Sequence, residues 1–183
     1  MRTIIPLAAL LTVTPLWAAP SPAQEDYQKK AEQAPWEWSD ARATAADSAK
    51  RLTGDYKAEV EERGMFGRVV IRILKDGGVV HFFEGHKGTV FAVGDGVLYY
   101  ADFGPISSGC EVVAWDLKAK KQLWKTHLKG LGPIGHTRYR NDVMLDLDGQ
   151  AVRVRGKESA GRYIEFIDRK SGKTVGHKVY PRD

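Results

Sequence analysis

The residues best suited to binding chemistry lie in one loop, residues 129–141, which holds four glycine and proline residues. His136, Arg138, Tyr139 and Arg140 combine cations, an aromatic ring and hydrogen-bond donors in this loop. Loops of this composition bind anions, sugars or peptides, and Arg162 in the later part of the chain is a candidate to join them. The sequence therefore predicts a ligand-binding patch of these five residues. The alternative is that the arginines are solvated and Tyr139 packs beneath the loop.

A second group of side chains has the chemistry of metal ligands. His81, Glu84 and His86 are close in sequence. In an extended strand His81 and Glu84 point to opposite faces, whereas Glu84 and His86 share one. A zinc site needs converging third and fourth ligands, and His136 or Asp102 would have to supply them from distant loops. We therefore expect a polar hairpin end here, with no metal and no cofactor.

Sequence signatures of catalysis are missing from the chain. Ser107 and Ser108 lack the glycine-flanked turn of a serine nucleophile, and a proline interrupts the glycine-rich stretch 130–133. Cys110 is the single cysteine, so no internal disulfide forms, and its apolar strand predicts a small buried hydrophobe. The enzymatic alternative that stays open is a small secreted or periplasmic hydrolase that uses His136 with an acidic residue from another strand.

The elements that must position these residues are β-strands. From residue 56 onward, short runs rich in β-branched and aromatic residues alternate with glycine-containing turns. The runs are 56–62, 68–74, 79–83, 89–93, 97–101, 110–117, 122–128, 143–147, 151–155, 163–168 and 174–180. This spacing predicts an all-β antiparallel meander of about ten strands. Residues 89–128 and 143–180 form two similar four-strand units, and 56–83 form an incomplete third.

A hairpin motif occurs twice, about fifty residues apart. The copies span residues 114–124 and 166–176. In each, an apolar strand ends in aspartate, Asp116 or Asp168, whose carboxylate is expected to accept N–H bonds from the basic turn that follows. Gly172 suits a left-handed position in a bulged hairpin. Lys120 stands at that position in the first copy, where either the side chain costs about 1 kcal/mol or the turn has a different shape.

The double motif resembles the repeat of quinoprotein-type (PQQ-like) β-propellers. The family pattern is Ala, any residue, Asp, any two, Thr-Gly-Lys, two more, then Leu or Val with Trp. The matching residues are Ala114, Asp116, Lys121 and Trp124 in the first copy and Asp168, Ser171, Gly172 and Lys173 in the second. The departures are Ala119, Lys120, Phe166 and Gly176. The resemblance implies blade-like sheets, but no residues match a quinone site and dehydrogenase activity is not implied. Independently of the family, Trp124 is large enough to wedge against a neighbouring sheet.

Length limits what such units can build. Propellers need about four to eight four-stranded blades, and this chain holds two to three blade-like units, too few to close a ring. We expect the units to pack as a compact sandwich, barrel or partial propeller, with one short N-terminal helix. That helix is predicted to be capped by Ser39 or Asp40, to run from Ala41 to Leu52 and to end at Gly54.

The N-terminus resembles an export signal. Arg2 precedes an uncharged apolar stretch and then small residues, so we expect a signal peptide over 1–23, cleaved after Ala18 or Ala23. The apolar stretch is shorter than the roughly 20 residues of a spanning helix. We therefore expect a secreted or periplasmic chain without a membrane span after cleavage. Residues 24–54 follow as a polar linker, or frayed helix, and the short helix, and 55–183 as the all-β repeat domain.

Composition narrows the class of partner. The formal charge is +5, with basic residues scattered among acidic ones. Nucleic-acid binding is not expected, because no dense basic block with interleaved aromatics exists. The sequence favours an exported, non-catalytic β-repeat domain that binds an unknown protein or another extracellular ligand.

Overall fold

The computed structural model describes residues 22–35, 44–64, 67–103, 110–129, 142–158 and 161–181. The helices are α1 (Pro22–Gln33) and α2 (Ala45–Arg51). The strands are β1 (Tyr56–Arg63), β2 (Arg68–Lys75), β3 (Gly78–His86), β4 (Phe91–Gly94), β5 (Val97–Phe103), β6 (Cys110–Asp116), β7 (Lys121–His127), β8 (Asp142–Asp148), β9 (Ala151–Glu158), β10 (Gly161–Asp168) and β11 (Thr174–Pro181).

Every strand pairs antiparallel with its neighbour in sequence, and three sheets result. Sheet 1 is β1-β2-β3, sheet 2 is β4-β5-β6-β7 and sheet 3 is β8-β9-β10-β11. The all-β meander of about ten strands is confirmed, since each of the eleven runs contains or overlaps one of the eleven strands, and the three sheets coincide with the three units predicted. The strands of the described residues do not close into a barrel.

The sheets stack face to face, and each interface is an apolar layer. Between sheets 1 and 2, Ile71 and Ile73 meet Leu98 and other side chains, and α2 joins this layer. Between sheets 2 and 3, Val112 and Val154 belong to one continuous core. Alternate residues of a strand face opposite sides, so each sheet contributes one set of side chains to the preceding layer and another to the next.

The two motif hairpins have the same geometry. Asp116 accepts N–H bonds from Lys118 and Ala119 through Oδ1 at 2.9 and 2.7 Å. Asp168 likewise accepts the Ser171 N–H at 2.7 Å. The pairing register shifts once beyond each turn, between Ala114 and Trp115 in one sheet and between Phe166 and Ile167 in the other. The predicted aspartate-stabilised, bulged hairpins are confirmed.

Lys120 and Gly172 occupy the same left-handed turn position. Their φ angles are 52° and 71°. The expected strain at Lys120 is thus present in the backbone, because only glycine adopts this region without a steric penalty.

Trp124 fastens sheet 2 to sheet 3. Its indole N–H donates to the Arg169 carbonyl at 2.9 Å, and the Thr126 hydroxyl donates to the Gly172 carbonyl. A Cβ added at Gly172 would lie 2.7 Å from Trp124 Cγ, so the indole lies directly on the turn of the second hairpin. The expectation that Trp124 wedges against a neighbouring sheet is confirmed.

Helix α1 covers the far face of sheet 3. Tyr27 and Ala31, one turn apart, bury against Ile164 and Phe166. The Tyr27 hydroxyl also donates to the Asp148 carbonyl at 2.8 Å. Of the two possibilities left open for this segment, a linker or a frayed helix, the structure shows a helix, and one that packs on the sheet.

Helix α2 begins later than predicted. Its N-cap is Thr44, whose hydroxyl accepts the Asp47 N–H while the Asp47 carboxylate accepts the Thr44 N–H. This reciprocal capping box satisfies two N–H groups at the helix start. The predicted caps Ser39 and Asp40 lie outside the described residues, and so does Ala41.

Two further observations complete the fold. The Cys110 side chain is fully buried between sheets 2 and 3 and forms no disulfide, so the predicted role as a small core residue is confirmed. Neither helix in the described segments is long and apolar enough to cross a membrane.

Candidate functional site

The predicted loop patch lies mostly outside the described residues. This holds for His136, Arg138, Tyr139 and Arg140. Arg162 is exposed on β10, where its register partners are Lys157 on β9 and Tyr180 on β11. The described residues therefore include one of the five predicted binding residues, and the grouping of the five stays a prediction.

The three potential metal ligands on β3 separate onto two faces, as the strand pattern predicts. His81 turns inward and stacks on Trp115, with ring centroids 4.6 Å apart. Glu84 and His86 are exposed on the outer side. Burial in the layer between sheets 1 and 2 lowers the pKa of His81 below its usual value, which favours the neutral imidazole. No group of three metal-ligating side chains converges within the described segments.

Glu165 is a fully buried carboxylic acid between sheets 2 and 3. One carboxylate oxygen accepts the Lys129 backbone N–H at 2.9 Å, and the other accepts the Thr174 hydroxyl at 2.6 Å. Burial raises the pKa of Glu165, and these two hydrogen bonds oppose the shift. A carboxyl group with a raised pKa has the acidity of a general acid, but donors of the chain itself occupy both oxygens. Through these two hydrogen bonds Glu165 connects β10 to β11 and to the segment that follows β7.

A cleft of about 400 Å³ lies between α1 and β11. It is lined by Lys29, Glu32, Lys129 and His177, among others, so its walls carry both signs of charge. The Gln28 side chain accepts the His177 N–H at 3.1 Å and donates to the His177 carbonyl at 3.3 Å. Gln28 thus satisfies the backbone of an edge strand as a neighbouring strand would, and the helix closes this edge.

The outer side of sheet 1 is different, because the described part of the chain places no other layer on it. We call this surface the open face. Its side chains are Lys57, Glu59, Glu61 and Arg63 on β1, Arg68, Val70, Arg72 and Leu74 on β2, and Val79, Phe82, Glu84 and His86 on β3. Phe82 is 67% exposed and Val79 is 54% exposed.

The open face is apolar at one end, and over the rest its side chains are charged or polar except Val70 on the central strand, which is 7% exposed. Leu74 pairs in register with Val79 beside the β2–β3 turn, and Phe82 pairs with Arg72 next to them. Arg72 also binds Glu61 at 2.6 Å. Large exposed apolar side chains that are neighbours on a sheet mark interaction surfaces. The open face is therefore the candidate site, as a docking surface rather than a pocket.

Sequence reasoning missed this surface, although the sequence contained a signal for it. Phe82 and Phe83 are adjacent in one strand, and adjacent strand residues point to opposite faces. Phe83 packs in the layer between sheets 1 and 2. Phe82 must then face outward, and only the number and order of the sheets decide whether anything covers it.

Similarity to known proteins adds no assignment to this geometry: no protein-family model matches the chain, and no curated protein matches it.

Proposed function

We propose that this chain is an exported, non-catalytic β-repeat domain that binds a protein through the open face of sheet 1. The observation that carries the proposal is the exposure of Phe82 and Val79 on a sheet face with no covering layer among the described residues. A flat, three-stranded surface fits another protein surface and not a small molecule, because small ligands bind in concave sites.

The neighbouring interfaces support a sheet-binding role for this face. Each face of sheet 2 packs against another sheet, and sheet 3 packs against sheet 2 and α1. Sheet 1 alone has one face without a partner layer in the described residues. A partner that presents an apolar sheet or helix would continue the same stacking.

The proposal includes the PQQ-like origin of the repeat and the export of the chain. The equivalent turns, the shared register shift and the contact of Trp124 with the second hairpin support a common blade-like unit. No quinone cofactor belongs to the proposal. The N-terminal sequence of the chain recovered from a periplasmic or extracellular fraction tests export, and it should begin just after Ala18 or Ala23.

Site-specific photo-crosslinking tests partner binding. A benzoylphenylalanine at position 82, expressed in the native host, should give one discrete protein adduct. Excess purified wild-type chain should compete for that adduct, and the Phe82→Asp variant should not. The same probe at Leu123, which is 43% exposed on β7, is the matched control and should give no adduct. Equal labelling from both positions, or none from position 82, would contradict the proposal.

A further inference from the structure

The two ends of the three-sheet stack are not equivalent. On sheet 3, α1 covers the terminal face and contributes Tyr27 and Ala31 to the buried layer. On sheet 1, the terminal face exposes Phe82 and Val79. One end is therefore closed and one is open, within the residues that the structure describes.

We propose that the occupant of the open face is a second copy of this chain, packed face to face about a two-fold axis close to Phe82. The inference rests on the proposed function, since it names the partner of the same surface.

The closed end limits how copies can associate. Head-to-tail contacts, in which the open face of one copy meets the opposite end of another, would build open filaments. In this chain α1 occupies that opposite end, so the sheet 3 face is not available. A contact between two open faces uses each surface once and closes on itself, which is the usual arrangement of a two-fold dimer.

The charges on the open face suit a copy of itself. Four cations (Lys57, Arg63, Arg68 and Arg72) and three anions (Glu59, Glu61 and Glu84) are interspersed on it. A strongly acidic or strongly basic partner would meet like charges somewhere on this surface, at an energetic cost. A copy turned by a two-fold rotation about an axis close to Phe82 presents both signs of charge and brings the two Phe82 rings together.

The size of the open face limits the area that two copies can bury against each other. Three strands about 4.8 Å apart and eight residues long cover roughly 400 Å² in projection. A face-to-face pair is therefore smaller than the standard interface of about 1,600 Å². We therefore expect weak pairing that depends on the concentration of the chain.

Sedimentation equilibrium of the purified chain tests this inference. Over about 1 to 500 µM, the wild-type chain should pass from monomer to dimer without larger species. Phe82→Asp should raise the dissociation constant of the dimer at least tenfold. Leu123→Asp, an equally drastic change at an exposed position on β7, should leave it unchanged. A chain that is monomeric throughout, or a dimer indifferent to Phe82→Asp, overturns the inference.

A cysteine variant tests the position of the axis. Phe82→Cys under oxidised glutathione should form a disulfide-linked dimer at least tenfold faster than Leu123→Cys, because the axis brings the two copies of residue 82 together. The buried native Cys110 does not compete. Equal rates would overturn the inference. A position-82 photo-adduct with a different protein, from a chain that stays monomeric, would leave the proposed function standing and exclude the second copy.

Discussion

The two motif hairpins have the same pairing register, but the residues at one equivalent position make different contacts. Trp124 pairs with Ala114 one step beyond the register shift of sheet 2, and Gly176 pairs with Phe166 at the same step of sheet 3. Trp124 extends over the turn of the next sheet. Gly176 lies against the backbone of α1, where an added Cβ would overlap the Tyr27 carbonyl.

The comparison shows that one side-chain position decides what covers each sheet. A large side chain there reaches to a following sheet, whereas a glycine lets a helix approach closely. Sheet 1 offers a third case, because His81 stands beyond its register shift, opposite Ile73, and stacks on Trp115 of sheet 2. The hairpin unit is repeated, and the side chain at this position differs between the copies according to the layer that packs against each sheet.

The largest effect is expected from Trp124→Ala, which removes the contact between sheets 2 and 3. The loss of the partly buried ring and of its hydrogen bond to the Arg169 carbonyl should lower the free energy of unfolding by about 3 kcal/mol. Urea denaturation measures it. The neighbouring Leu123→Ala, at an exposed site, should cost about 0.5 kcal/mol or less. Equal effects of the two substitutions would show that the wedge does not hold the sheets together.

Gly176→Ala tests the other side of the comparison. Its Cβ would overlap the backbone of α1, which cannot rotate away as a side chain can. We expect a loss of about 2 kcal/mol in unfolding free energy and faster proteolysis within α1. Gly88→Ala is the matched control, since no atom lies within 4 Å of an added Cβ there. An unchanged α1 in the Gly176 variant would mean that the helix does not depend on this close approach.

The sequence predicted the regular parts of the fold because they follow from local rules. Alternation and glycine turns placed the strands, and Asp116 and Asp168 marked the two equivalent hairpins. The packing of α1 was not predictable in the same way. Only Tyr27 and Ala31 mark its buried side, and the glycine that admits it lies far away in the sequence.

The candidate site depends on the same kind of non-local information. The sequence favoured the loop that carries His136, whose residues the structure does not describe, and the open face was overlooked. No residue of β3 indicates by itself that sheet 1 is the last sheet of the stack. The exposure of Phe82 follows from the stacking order, which requires all three sheets to be placed.

Glu165 and Val113 make a second comparison between the copies, since each stands three residues before the aspartate that ends its strand. Both are buried. Because burial raises the pKa of Glu165, the folded chain binds this proton more tightly than the unfolded chain does. The contribution of this group to stability therefore falls as the pH rises above the ordinary glutamate pKa of 4.5.

Glu165→Gln should remove that dependence, because the amide does not ionise and keeps an acceptor for the Lys129 N–H. The unfolding free energy of the variant relative to wild type should increase as the pH rises above 4.5 and level off once the carboxyl group also ionises in the folded chain, as measured by urea titrations. Glu59→Gln, at an exposed position on β1, should run parallel to wild type over this range. Parallel curves for Glu165→Gln as well would mean that its carboxyl ionises as easily in the folded chain as in the unfolded one.

The smallest effect, and the only gain, is expected from Lys120→Gly. Lys120 has a φ of 52° at the position that Gly172 fills in the other hairpin. Glycine removes the Cβ penalty but increases the freedom of the unfolded chain, so the net gain in unfolding free energy should be about 0.5 to 1 kcal/mol. The reverse change, Gly172→Ala, should destabilise, since its Cβ would meet the Trp124 ring. A loss of stability in Lys120→Gly would show that the lysine side chain stabilises its turn by more than the strained backbone costs, and that the two turns are equivalent in shape but not in energy.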